Sequence, residues 1–124
     1  MRKIVRVSVV IAVAAAFAGV TGAQAQAETC AAGKVCLYSE DNFSGIKLVI
    51  PSTIGVSNKL GHSALEDHLS SAMNGTNHAV GIFDELNAKT LIVCLNPAEI
   101  IPSFSGAALS SDGSSTKVFT RRAC

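Results

Sequence analysis

Short apolar runs separated by turn-forming residues recur along most of the chain. The clearest are residues 35–38, 46–50, 79–83 and 90–95, which contain β-branched side chains and lie close to Gly, Pro, Asn, Asp or Ser. Runs of this length and spacing are typical of strands, so we predict an all-β fold, a small antiparallel β-sandwich. Residues 63–69 are long enough for only one helical turn, which does not change the class.

Two other stretches predict irregular backbone. Residues 103–116 are rich in Gly and Ser, which indicates a loop with one embedded strand, and Asn74-Gly75 marks a turn. Neither stretch carries a long apolar run, so neither predicts a second core.

The first 27 residues follow a different pattern. Three cations precede the apolar stretch 7–20, and Ala25-Gln26-Ala27 then places small residues at the third and first positions before Glu28. This pattern predicts a signal peptide, residues 1–27, with cleavage after Ala25 as the near alternative. The apolar run is shorter than the roughly 20 residues that a membrane-spanning helix needs. We therefore expect a secreted, extracellular chain of one domain, residues 28–124, with no membrane segment after cleavage.

The charge balance changes once the signal peptide is removed. The full chain has a formal charge of +1, but three of its ten Lys and Arg residues lie before residue 7, which leaves seven basic against nine acidic residues. A nucleic-acid surface needs a basic patch or stripe, and none is present. We predict no nucleic-acid partner, and we expect a monomer.

All four cysteines lie in the predicted mature chain. An even number of cysteines in a small exported domain predicts two disulfides, and three pairings are possible. We favour Cys30 with Cys36, because the five residues between them can turn back, which leaves Cys94 for Cys124. No CxxC or Cys/His cluster has zinc-site spacing.

The chain also contains an internal repeat. The pattern Tyr38-x4-Phe43-x-Gly45 is echoed 45 residues later by Phe83-x4-Ala88-x-Thr90, and Ser70-Ser71 by Ser114-Ser115 at an offset of 44. Two offsets that agree within one residue predict a duplicated unit of about 40 residues, with a degenerate second copy.

This repeated pattern resembles the Greek-key motif of the βγ-crystallins. The exported chain with an opening Cys-x5-Cys is also similar to the bacterial secreted metalloproteinase inhibitors, which have that fold, and the resemblance covers residues 30–124. It implies a hairpin folded over its own sheet, with Gly45 at positive φ, Tyr38 and Phe43 packed over it and Ser71 bonded to it. Because Thr90 replaces the glycine in the second copy, we expect that hairpin to be opened or differently folded.

The resemblance implies inhibition of an extracellular peptidase, plausibly a thermolysin-like metallopeptidase. The family's inhibitory segment matches Cys94, Leu95, Asn96 and Pro97 here, with Cys94–Leu95 as the candidate peptide bond. A second cysteine closes the family's loop, and this chain has Asn-Pro-Ala-Glu instead, although Pro97 restricts the backbone. The alternative is that residues 91–95 form a buried strand that Cys94 staples.

The resemblance also implies one weak calcium site. Glu66-Asp67-His68-Leu69-Ser70-Ser71 is close to the family's calcium stretch, so Asp67 and Ser70 are candidate ligands, together with Glu85. Calcium takes six to eight oxygens, and these residues supply few. The repeated stretch, residues 110–115, would pair with Glu40 but lacks both leading acids. The alternative is that Asp67 and Ser70 only solvate a loop.

Catalytic signatures are scarce in the sequence. There is no Gly-x-Ser-x-Gly elbow, and the three histidines lack metal-ligand spacing: His62, His68 and His78. Cysteines that are oxidised provide no thiolate nucleophile. We therefore predict a protein that is not an enzyme, has no catalytic residue and needs no cofactor apart from possible weak calcium.

Overall fold

The computed structural model describes residues 30–124 as two four-stranded antiparallel sheets. The strands are β1 (Lys34–Glu40), β2 (Ser44–Pro51), β3 (Gly55–Ser57), β4 (Ser71–Asn74), β5 (Val80–Phe83), β6 (Leu91–Leu95), β7 (Ile100–Ile101) and β8 (Ser115–Val118). Their order is β2-β1-β4-β7 in one sheet and β3-β8-β5-β6 in the other. Each half of the chain thus contributes one strand to the sheet of the other half, which is the Greek-key arrangement that the repeat implied. The predicted signal peptide lies outside the described residues.

The four apolar runs correspond to β1, β2, β5 and β6. The other strands have only two to four residues, and β4 (Ser-Ala-Met-Asn) has no run of large apolar side chains. The helical turn is a 3-10 turn at Leu60–His62, just before the predicted stretch. Within residues 30–124, no helix is long and apolar enough to cross a membrane.

The first hairpin, between β1 and β2, is folded over and held by one serine. Ser71 Oγ donates to Glu40 O at 2.7 Å and accepts from Phe43 N at 3.0 Å. Gly45 has φ +81°, and a Cβ there would overlap Ser39 Oγ. The buried Tyr38 ring packs edge-on against the ring of Phe43, with centroids 5.7 Å apart. The packing and hydrogen-bond roles expected from the motif are therefore confirmed.

The second hairpin is also folded over, which the sequence did not lead us to expect. Ser115 Oγ donates to Glu85 O and accepts from Ala88 N, as Ser71 does in the first copy. Ala88 has φ +57°, close to the +60° of Phe43, whereas Thr90 is not at positive φ. Thr90 is tolerated because it lies outside the strand ladder of this hairpin, in which β5 ends at residue 83 and β6 begins at residue 91. The prediction of an opened hairpin is therefore wrong, and the second copy differs from the first at the strand ends.

Both favoured disulfides are present. Cys30 bonds Cys36 ahead of the first hairpin, and Cys94 on β6 bonds Cys124, a separation of 30 residues. The second bond therefore ties the last described residue to an edge strand of the second sheet.

Apolar side chains from both sheets form one core. Its members are buried: Val35, Leu37, Ile50, Leu60, Leu65, Leu69, Ala72, Val80, Ile82, Leu95, Ile101, Phe104 and Val118. Thr116 lies on β8 two residues before Val118, so both side chains point to the same face of the strand. Thr116 is 1% exposed, and its hydroxyl has no hydrogen-bond partner among the described residues.

We expect Thr116→Val to stabilise the protein by about 1 kcal/mol, because it removes an unpaired buried hydroxyl while keeping the shape of the side chain. Urea unfolding of the oxidised chain measures the change. Thr76→Val is the matched control, because the buried Thr76 hydroxyl contacts Asn74 Oδ1 at 2.8 Å and His78 O at 3.0 Å. The control should destabilise by about 1–3 kcal/mol, and equal effects of the two variants would contradict the assignment.

Candidate functional site

The connection between β6 and β7 is a tight turn, Asn96-Pro97-Ala98-Glu99. Glu99 N donates to Asn96 O at 3.0 Å, and Ala98 has φ +67°. Proline at the second position and positive φ at the third are features of a type II turn. Because β6 and β7 belong to different sheets, this turn is the place where the chain crosses between them.

The side chain of Glu99 closes the turn. Its Oε1 accepts from Asn96 N at 2.8 Å and lies 3.3 Å from Asn96 Nδ2. A carboxylate that accepts from a backbone amide makes a strong, charge-assisted hydrogen bond. The first and last residues of the turn are thus joined through both backbone and side chain.

Asn74, at the end of β4, holds the turn in place through hydrogen bonds. Its Nδ2 lies 2.9–3.1 Å from three carbonyl oxygens, those of His78, Leu95 and Asn96. Its backbone N donates to Glu99 O at 3.0 Å, and its backbone O accepts from Ala98 N at 2.9 Å. At 1% exposure, Asn74 is a buried polar residue, and its partners include three backbone groups of the turn, Asn96 O, Ala98 N and Glu99 O.

The Cys94–Cys124 disulfide adds a further anchor immediately before the turn. Cys124 N also donates to Asn96 Oδ1 at 2.8 Å. The turn is therefore held by a covalent bond on one side and by Asn74 on the other.

Leu95 does not lie in an exposed segment. It pairs with Val80 in the β5–β6 ladder, and its side chain is 0% exposed and part of the core. A peptidase pocket cannot receive this side chain unless β6 leaves the sheet. Residues 91–95 are thus an edge strand with Cys94 as its staple. Only Leu95 is buried, so the strand is not buried throughout as the alternative interpretation had it. The exposed part of the predicted segment begins at Asn96.

An exposed apolar residue follows the turn directly. Ile100 is 52% exposed, whereas Ile101 points inward and is 7% exposed. Ile100 borders an open hollow of about 410 Å³ that residues 101–103, Gly106 and Ala107 also line. The turn and Ile100 together form an exposed surface with a hydrogen-bonded polar part and an apolar end.

The calcium candidates differ in their contacts. Ser70 Oγ donates to Ser39 O of the first hairpin at 2.8 Å, whereas Glu85 O accepts from Ser115 in the second hairpin. Asp67 is exposed and has φ +63°. Residues 30–124 contain no group of three or more His, Cys, Asp or Glu side chains that could hold a metal.

Two residues that build the turn were missed in the sequence. Asn74 was interpreted only as part of a turn, although an Asn-Gly-Thr stretch after a short strand also places an amide where it can bond to neighbouring backbone. Glu99 carried a clearer signal, because an acidic residue three positions after Asn96, with proline between them, is suited to closing a turn.

Comparison with known proteins agrees with this architecture. Residues 23–95 match peptidase inhibitor family I36, a stretch that ends where the turn begins. No curated protein sequence matches the chain at a significant level. These findings confirm the resemblance that the motif suggested, at the level of the family.

Solved structures of βγ-crystallins resemble the fold. A structure from work on the evolution of the eye lens βγ-crystallin domain fold has a TM-score of 0.63 and 24% identity, over 76% of this chain and 92% of its own. Spherulin 3a from Physarum polycephalum has a TM-score of 0.55 and 25% identity, over 81% and 95%. A βγ-crystallin from Ciona intestinalis has a TM-score of 0.55 and 19% identity, over 69% and 99%. The βγ-crystallin-like fold is therefore shown.

We expect Asn74→Ala to destabilise the protein by about 2–4 kcal/mol, because it leaves several buried carbonyl groups without a donor. Urea unfolding measures the loss, and amide hydrogen exchange at Ala98 and Glu99 should become faster. Asn58→Ala is the matched control, because Asn58 bonds to Asn87 at the surface. The control should cost less than about 1 kcal/mol, and similar losses for both variants would contradict the role of Asn74.

We expect calcium to raise the melting temperature of the oxidised chain only slightly, because Asp67, Ser70 and Glu85 supply few of the six to eight oxygens that calcium takes. Calorimetry in chelator and in 10 mM calcium chloride measures the shift. A ligand that binds only the native state must raise its stability. A calcium-dependent rise that Asp67→Ala abolishes would establish the site that the motif implied.

Proposed function

The chain belongs to peptidase inhibitor family I36, and we propose that it binds and inhibits an extracellular metallopeptidase through the turn Asn96–Glu99 and Ile100. Family membership supports a peptidase partner and a protein that is not itself an enzyme. Two disulfides in a small domain are consistent with an extracellular setting. The observation that carries the proposed site is an exposed turn that is hydrogen-bonded to Asn74 on one side and to Cys124 on the other.

Rigidity favours binding because a segment already in its bound shape loses little conformational entropy on docking. Asn96 is fixed through its backbone N, its backbone O and its side chain. Pro97 adds a fixed φ. The turn therefore replaces, with hydrogen bonds and a proline, the restriction that a second loop cysteine provides in the related inhibitors.

Ile100 supplies the bulky apolar side chain that thermolysin-like enzymes prefer on the leaving-group side of the cleaved bond. Leu95 was the residue assigned to this role from the sequence, but it is buried. Ile100 is 52% exposed and five residues farther along the chain. The candidate peptide bond thus becomes Glu99–Ile100, at the end of the turn.

The carbonyl group of Glu99 explains why this bond would resist hydrolysis. A catalytic metal ion must polarise the carbonyl of the bond that it cleaves. Glu99 O instead faces β4 and accepts from Asn74 N at 3.0 Å. Ile100 can then occupy the enzyme's pocket while the preceding carbonyl stays directed into the sheet, which is the behaviour of an inhibitor and not of a substrate.

We expect the oxidised chain, residues 28–124, to inhibit a thermolysin-type peptidase at micromolar concentration or below. Ile100→Ser should weaken inhibition by about tenfold or more, because it removes the apolar anchor of the interface. Ile100→Leu should retain inhibition. Hydrolysis of a chromogenic peptide measures the inhibition constants.

Ile54→Ser is the matched control, because Ile54 is 46% exposed and lies in the β2–β3 connection, far from residue 100 in sequence. It should leave inhibition unchanged. The proposed site is excluded if Ile100→Ser inhibits as well as the unmodified chain. Absence of inhibition at micromolar protein would instead favour the other interpretation, an extracellular structural or calcium-binding βγ-crystallin module without inhibitory activity.

A further inference from the structure

The segment from Phe119 to Cys124 forms a second restrained loop that the proposed function does not use. Arg122 is exposed, and the loop is anchored to Ala79 before it and to Cys94 on β6 after it. We propose that Arg122 enters the specificity pocket of a serine peptidase that cleaves after arginine, so that the chain carries a second inhibitory site for a different class of peptidase. This proposal does not depend on the metallopeptidase site.

The loop is fixed on the N-terminal side of Arg122 by backbone hydrogen bonds to Ala79, the residue just before β5. Phe119 N donates to Ala79 O at 2.9 Å, and Ala79 N donates to Arg121 O at 3.0 Å. The Arg121 guanidinium also stacks on the Phe119 ring, 4.0 Å from its centroid. The residue immediately before Arg122 is thus held through both its backbone and its side chain.

The loop is fixed on the C-terminal side by Cys124. This residue is bonded to Cys94 on β6, and its N–H donates to Asn96 Oδ1 at 2.8 Å. The Ala123 carbonyl accepts from Arg121 Nε at 3.0 Å, which closes a bond across the apex. Arg122 is therefore flanked by anchored residues, which lowers the entropy lost on docking.

Arg122 itself is left available. It is exposed, and no hydrogen bond or ion pair joins its side chain to another residue of the described chain. Arg121, by contrast, is engaged by Phe119 and Ala123. Of the two adjacent arginines, only Arg122 can therefore extend into a pocket without first breaking a contact.

Pocket chemistry identifies the partner. A guanidinium pairs best with a carboxylate in a bidentate geometry, and a trypsin-like pocket ends in such a carboxylate. The next residue on the leaving-group side is Ala123, whose methyl group is small and offers little steric resistance. The combination fits a serine endopeptidase with arginine specificity.

The Cys94–Cys124 disulfide also explains why cleavage at Arg122–Ala123 would not release a product. The peptidase serine attacks the Arg122 carbonyl carbon, an ester forms, the Arg122–Ala123 amide breaks, and the serine proton passes through histidine to the Ala123 nitrogen. The new amine cannot diffuse away, because Cys124 stays bonded to Cys94. It can attack the ester again, reform the peptide bond and return the proton to the serine.

The test uses bovine-type trypsin and the oxidised chain, residues 28–124, with hydrolysis of an arginine substrate as the readout. The unmodified protein should inhibit competitively. Arg122→Ala should weaken inhibition by about 30-fold or more, as expected for loss of a buried interface anchor. Arg122→Lys should retain inhibition within about tenfold, because lysine also reaches the pocket carboxylate. Lys59→Ala, which removes another exposed cation, should change nothing.

Mass spectrometry after long incubation gives an independent readout. The expected product is a chain that has gained one water at Arg122–Ala123 and remains joined by the disulfide. The double variant Cys94→Ser/Cys124→Ser should be cut at the same bond as an ordinary substrate. The proposal would be overturned by rapid cleavage of the oxidised chain or by cleavage at another bond. It would also be overturned if Arg122→Ala inhibited as well as the unmodified chain, or if the unmodified chain did not inhibit at 10 μM. Arg122→Ala should inhibit a thermolysin-type enzyme as well as the unmodified chain does, and this result would distinguish the two proposed sites.

Discussion

Two buried serine hydroxyls are the contacts on which the fold depends. A hairpin that bends over its own sheet has amide and carbonyl groups at its tip that the strand ladder cannot satisfy, and buried backbone groups need partners. A hydroxyl is both a donor and an acceptor. Ser71 and Ser115 therefore each satisfy one carbonyl and one amide of a folded hairpin. The aromatic cover of the first hairpin and the core beneath both follow from this closure.

The two halves of the chain differ at the crossover between the sheets, where the peptidase-binding turn is proposed. Asn74 lies 44 residues before Val118, and each ends a strand that begins with the serine bonded to a hairpin. The side chain of Asn74 is a buried amide, whereas that of Val118 is part of the apolar core. An amide at that position needs several partners, and the backbone around Asn96 supplies them. The crossover between the sheets is therefore tight and fixed in one half, while the corresponding position in the other half needs no polar neighbours. A chain with an apolar residue at position 74, as at position 118, would lack these hydrogen bonds.

Much of the fold could be predicted because its constraints are local. The Tyr38-x4-Phe43-x-Gly45 pattern and the serine doublets indicated the hairpins, and the cysteine spacing favoured the observed pairing. The second hairpin was misjudged because the glycine was treated as essential, whereas a shorter ladder lets Thr90 avoid positive φ. The exposure of Leu95 was misjudged because an apolar run does not reveal which of its side chains face the core. That distinction depends on the pairing of β6 with β5, which joins residues distant in sequence.

The Cys94–Cys124 bond relates the two proposed surfaces. Cys94 precedes the turn, Cys124 ends the Arg122 loop, and Cys124 N bonds to Asn96, so one cross-link restrains both exposed segments. Neither segment contributes to the serine contacts that close the hairpins. Changes at residues 96–100 or 120–123 can therefore alter binding while the hairpins and core persist, because a site carried on a fold can vary separately from it.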